Sequence, residues 1–139
     1  MIDSISHITL IVRDLERTAD LLKYVFHAEE VYSSGDRTFS RSREKFFLIG
    51  SIWLCIMEGE SLNERTYNHV AFHIGEGEFD EILSRVHGMG LDMLPDRDRI
   101  HGEGRSIYFY DFDNHLFELH TGTLETRLAE YRDYDGRGE

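Results

Sequence analysis

Two histidines and one glutamate carry the strongest chemical signal in this chain. His7 opens the stretch SHITLIV, His69 opens NHVAFHI, and Glu118 interrupts the apolar run LFELH. A carboxylate set among Leu116, Phe117 and Leu119 costs several kcal/mol unless it is paired or bound to a metal. Two imidazoles and a carboxylate form a facial triad, which leaves coordination positions open and suits Mn(II) or Fe(II), where closed thiolate sites suit structural zinc. On this reading Glu118 is a metal ligand together with His7 and His69. The alternative is a core carboxylate bonded to an arginine or to backbone amides.

Other reactive residues are weighed against that set. Cys55, the only cysteine, stands 63 residues before Glu118; it is either a fourth, softer ligand or a small buried hydrophobe, and the second reading is preferred. His73 lies four residues beyond His69, roughly 13 Å along a strand, too far to ligate the same ion. His120 shares the face of Glu118 and can support it by a hydrogen bond. His27, His87, His101 and His115 read as surface or loop histidines. The segment RDRIHGEGRSIYFY places Arg97, Arg99 and Arg105 around a glycine-containing turn, with Ser106, Tyr108 and Tyr110 on one strand face beyond it. It is either an anion-binding loop or a polar hairpin loop, and it lacks the spacing of a Walker or dinucleotide fingerprint. In SREKFF, Glu44 sits between Arg43 and Lys45, cations that are expected to keep it ionised, as a general base must be.

These residues need strands to hold them, and the chain supplies them twice. His69 stands 62 residues after His7, and a stretch alternating with period two follows each. His7, Thr9 and Ile11 point one way in the first copy, and His69, Ala71 and His73 in the second. Helical patterns come next: Leu15, Ala19, Leu22 and Phe26, capped by Asp14, and then Phe79, Ile82, Leu83, Val86 and Met89, stopped by Gly88 and Gly90. Strands are expected near 29–33, 37–42, 45–49 and 52–57 in the first half, and near 91–94, 106–110 and 115–120 in the second. Each half is a β-α-β-β-β unit, about 4–60 and about 66–122, followed by a helical tail at about 123–139. A repeated unit of this size buries its sheet against its twin, so the expected fold is a single α+β domain of curved mixed sheets around a cavity.

Composition excludes several classes of function. The formal net charge of −12 and the scatter of the 15 lysines and arginines argue against a nucleic-acid partner. No apolar run reaches membrane-spanning length, the N-terminus has no signal-peptide pattern, and a lone cysteine fits a reducing compartment. A cytoplasmic protein is expected.

At these same residues the chain resembles the vicinal oxygen chelate superfamily, and within it the fosfomycin resistance proteins of the FosX type. The likeness runs through SHITLIVRDL, SREKFFLIG, ERTYNHVAF and GEGRSIYFYDFDNHLFELHTGTL. It implies a Mn(II)-dependent hydrolase that adds water to the oxirane of fosfomycin, a small epoxide phosphonate, with Fe(II) or another divalent metal as substitutes. It implies His7, His69 and Glu118 as ligands and Glu44 as the general base. Thr9, Tyr67, Ser106, Tyr108 and Arg127 match positions around the phosphonate, and Arg99 is assigned there on the weaker ground of its loop. A homodimer with exchanged units is also implied, in which one metal takes His7 from one chain and His69 with Glu118 from the other. Relatives set three alternatives beside this reading: a thiol transferase acting on fosfomycin, an extradiol dioxygenase, and a protein that binds an antibiotic without chemistry.

Overall fold

The structure is a computed structural model and describes residues 1–95 and 104–136. The elements run β1 (Ile8–Val12), α1 (Leu15–Phe26), β2 (Glu29–Ser33), β3 (Glu44–Ile49), β4 (Ile52–Glu58), β5 (His69–His73), a short 3-10 turn (Glu76–Glu78), α2 (Phe79–Gly88), β6 (Met93–Leu94), β7 (Ser106–Tyr110), β8 (Leu116–His120) and α3 (Leu124–Gly136). They form two four-stranded mixed sheets of the same topology, β1-β4-β3-β2 and β5-β8-β7-β6. The first pair in each sheet is parallel and the others are antiparallel. This is the tandem α+β arrangement that the repeated pattern predicts. Among the described residues no helix is long and apolar enough to cross a membrane.

The chain divides into two compact units. The first comprises Met1–Arg65 with Asp111–His115, and the second Thr66–Tyr110 with the chain from Leu116 onward. In the first, period-two alternation sends Leu54 and Ile56 of β4 and Phe47 of β3 to one face, where they are wholly buried with Leu21, Leu22 and Val25 of α1. Each such side chain contributes about 1.5–3 kcal/mol when removed from water. Asp14 caps α1, its Oδ1 accepting from the Arg17 amide at 3.1 Å. In the second unit the buried residues include Phe72, Ile107, Phe109, Phe117 and Leu119 of the strands with Phe79, Ile82 and Val86 of α2.

One expected strand is absent. Residues 37–42 form irregular chain and bends between β2 and β3. Ser34 closes this connection by donating its amide to the Glu44 carbonyl at 3.0 Å, while its Oγ accepts from the Glu44 amide at 3.0 Å. With that hydrogen-bonding edge already paired, residues 37–42 are left as connection, with Phe39 exposed among polar neighbours.

Candidate metal and acid–base site

The two units present equivalent faces, and the reactive residues fall on them by register. In the first unit Thr9 pairs with Cys55, Cys55 with Phe46, and Glu44 with Met57. Residues directly opposite across a ladder share a face. Thr9, Cys55 and Glu44 are therefore on one side of the sheet, with His7 just before β1. The His7 ring stacks on Trp53 at a centroid distance of 4.2 Å, and its Nδ1 lies 3.0 Å from Ser6 Oγ. Glu44 is buried, its backbone gripped by Ser34, and Cys55 Sγ donates to Glu44 Oε1 at 3.6 Å.

The cations beside Glu44 in sequence do not serve it in space. Arg43 and Lys45 belong to the opposite face, because side chains alternate along a strand. Arg43 binds Glu58 through two of its nitrogens, and Lys45 Nζ lies 3.1 Å from both Glu16 and Glu30. The expectation that these neighbours hold Glu44 ionised is corrected accordingly: Cys55 and Ser34 are its partners.

In the second unit Tyr108 pairs with Glu118, Ser106 with His120, and Ala71 with Glu118, so β5, β7 and β8 contribute to one face. His69 Nδ1 donates to the Tyr67 carbonyl at 2.6 Å, and Nε2 faces Glu118 Oε1 at 2.9 Å. The other carboxylate oxygen, Oε2, accepts from Ser106 Oγ at 2.5 Å. With the ring neutral, an imidazole lone pair and a carboxylate oxygen converge on one point, a place where a cation can sit; with the ring protonated, the two form an ion pair. The donor set fits a divalent metal of intermediate hardness. Burial alone would raise the Glu118 pKa, but the hydroxyls of Ser106 and Tyr108 and the adjacent imidazoles outweigh it and hold the carboxyl below its ordinary value. Among the described residues no three His, Cys, Asp or Glu side chains of one chain gather to hold a metal.

The remaining predicted residues are placed as follows. Tyr67 is exposed, with its ring 4.8 Å from His69 and 5.8 Å from Tyr108. Ser106 and Tyr108 are buried on β7. Arg127, on α3, reaches back to β8 and donates from Nη2 to His120 Nε2 at 3.1 Å. Arg97 and Arg99 lie outside the described residues. Arg105 is engaged elsewhere: it binds Glu76 at 2.9 Å and lies over the Phe79 ring. Just before it, Gly104 has φ +86°, and a Cβ there would meet Gly122 N at 2.5 Å. Glycine at this point lets the start of β7 close on the end of β8, with the Arg105 amide on Thr121 Oγ1 at 2.9 Å.

Two contacts were not legible in the sequence. Cys55 appeared there as packing, whereas it is a hydrogen-bond donor to Glu44; only the strand register reveals the pair. His120 was placed on the face of Glu118, but its position between Ser106 and Arg127 depends on where α3 folds back.

A model of the glyoxalase/bleomycin resistance protein/dioxygenase superfamily matches residues 4–119. The chain belongs to that superfamily. It is 62% identical over 133 residues to the fosfomycin resistance protein FosX of Listeria monocytogenes, covering 96% of this chain and 100% of the relative. It is 37% identical over 136 residues to the metallothiol transferase FosB of Shouchella clausii, covering 94% of this chain and 88% of the relative. Among solved structures, a mutant of the L. monocytogenes FosX complexed with Mn(II) and 1S,2S-dihydroxypropylphosphonic acid superposes with a TM-score of 0.87 at 60% identity, covering 94% of this chain and 99% of the other.

Proposed function

We propose that this protein inactivates fosfomycin by Mn(II)-dependent addition of water to its oxirane. The observation that carries the reading is the convergence of His69 Nε2 and Glu118 Oε1 at 2.9 Å, each oriented by a second hydrogen bond, in a chain so similar to FosX. The ligand of the superposed FosX structure supports the same chemistry, because a vicinal diol phosphonate is what water addition to the fosfomycin ring produces.

His69 and Glu118 would hold the metal from one chain, with His7 of a second copy as the third ligand. Support for a second copy comes from the outer strands. Thr9 and Ile11 of β1, and His69, Ala71 and His73 of β5, are exposed on the faces that carry the reactive groups. When bound, Mn(II) supplies Lewis-acid stabilisation of the charge that develops on the ring oxygen. Arg127, Tyr67 and Tyr108 of the first chain, with Thr9 of the second copy, would surround the phosphonate, the guanidinium offering charge-assisted bonds. Glu44 accepts a proton from water as the water oxygen attacks a ring carbon. The carbon–oxygen bond of the ring breaks, and the released oxygen takes up a proton to complete the diol.

Phosphorus NMR of the protein with Mn(II) and fosfomycin, with and without glutathione, tests this. Diol in the absence of thiol is expected. A phosphonate signal that moves only when thiol is added would assign the protein to thiol transfer instead.

A further inference from the structure

Beyond the ligands themselves, the second unit contains a hydrogen-bonded chain whose direction is determined by one residue. Arg127 Nη2 lies 3.1 Å from His120 Nε2, His120 Nδ1 lies 2.7 Å from Ser106 Oγ, and Ser106 Oγ lies 2.5 Å from Glu118 Oε2. A guanidinium can only donate. His120 Nε2 is therefore the acceptor, and the proton of the neutral ring resides on Nδ1. Nδ1–H then donates to Ser106 Oγ, and the single hydroxyl hydrogen of Ser106 is directed to Glu118. Each bond fixes the polarity of the next, from the arginine of α3 to the carboxylate of β8.

We propose that His120 is a positioning residue that couples anion binding at Arg127 to metal binding at Glu118. The coupling rests on the function proposed above, in which Arg127 meets the phosphonate and Glu118 the metal. Its consequence for Ser106 is specific. That hydroxyl spends its hydrogen on Glu118, so it orients the ligand carboxylate rather than donating to substrate. Occupying Glu118 Oε2 also directs Oε1 toward His69 Nε2, where the ion would be held. At the other end, one of the five N–H groups of Arg127 is anchored, which aims the remaining ones.

Two substitutions separate the halves of this chain. Asparagine at 120 places an N–H where Nδ1 stands and leaves nothing at Nε2; glutamine places an oxygen near Nε2 and nothing at Nδ1. Mn(II) affinity is read without substrate, from the free-ion signal in electron paramagnetic resonance, and KM for fosfomycin is read separately. His120→Asn is expected to keep Mn(II) affinity within about threefold and to raise KM. His120→Gln is expected to keep KM and to weaken Mn(II) binding by about 10–100-fold, the usual effect of losing a partner that orients a ligand. His120→Ala is expected to lose both, and circular dichroism melts establish that each variant is folded. Wild-type Mn(II) affinity in both His120→Gln and His120→Ala would overturn the proposal, as would an equal loss in His120→Asn and His120→Ala. Failure of the wild-type protein to bind Mn(II) or to consume fosfomycin would instead overturn the underlying function, which distinguishes the two.

Discussion

Cys55 Sγ donates to Glu44 Oε1 across 3.6 Å inside the first unit, at the repeat position where the second unit carries Glu118. The two halves of a duplicated fold therefore differ at this position: a carboxylate that faces His69 in one, and in the other a thiol that contacts the Glu44 carboxylate. Burial, then the Glu44 charge beside it, push the Cys55 pKa up to about 11, so the group remains a donor.

It follows that Cys55 is unreactive in the folded protein. With its pKa at about 11, about one thiol in a thousand is ionised at pH 8, and only the thiolate attacks alkylating agents. Iodoacetamide at about pH 8 is expected to leave the native protein unlabelled over the hours in which the denatured chain is labelled completely. Stoichiometric labelling of the native protein, followed by mass spectrometry, would contradict the burial and the hydrogen bond together.

Replacing Glu44 by Gln retains shape and removes the proposed base. Diol formation is expected to fall by about a hundredfold or more, the usual contribution of general-base catalysis, while Mn(II) and phosphonate still bind. Steady-state kinetics and isothermal titration check both halves. Near-wild-type turnover would mean that Glu44 does not receive the proton.

Arg127→Ala is expected to raise KM more than it lowers kcat. Under the proposed function a phosphonate would meet the guanidinium before and during reaction alike, and binding that is uniform along the reaction appears chiefly in KM. An unchanged KM with a collapsed kcat would place the arginine in the chemical step.

Acid sensitivity follows from the opposite face of the first sheet. Lys45, 8% exposed in its side chain, is held between Glu16 and Glu30. Burial would raise the Glu30 pKa, but its bonds to Lys45 and Lys23 outweigh this and leave it below the ordinary 4.5. A depressed carboxyl pKa contributes stability above the unfolded value, and that stability is lost as pH falls through the folded one. Melting temperature is therefore expected to drop as pH is lowered from about 5 toward 3, and to drop less steeply in Lys45→Met. The same variant is expected to lose roughly 1–3 kcal/mol near neutral pH, because Glu30 loses a buried partner. Equal acid sensitivity in both proteins would mean that the pair is not linked to folding.

The sequence carried the fold further than it carried the site. Period-two alternation after His7 and His69, the helix-face spacings and the Asp14 cap are local signals, and the strands and helices formed where these signals lay. Residues 37–42 form no strand, because the edge they would need is closed by Ser34 and Glu44. Arg43 and Lys45 seemed to flank Glu44 because chain neighbours look close in a string of letters; on a strand they point to the other face. Cys55 with Glu44, and His120 with Arg127, depend on strand register and on the return of α3, which are long-range features that no local pattern encodes.

The central claim is that this site adds water, and the most direct measurement is the origin of the new oxygen. The protein, loaded with Mn(II), is incubated with fosfomycin in water enriched in heavy oxygen and without any thiol, and the phosphonate product is examined by mass spectrometry. The account predicts a dihydroxypropylphosphonate that carries one solvent oxygen and the original ring oxygen. Fosfomycin recovered unchanged under these conditions, and consumed only after a thiol is supplied, would contradict it.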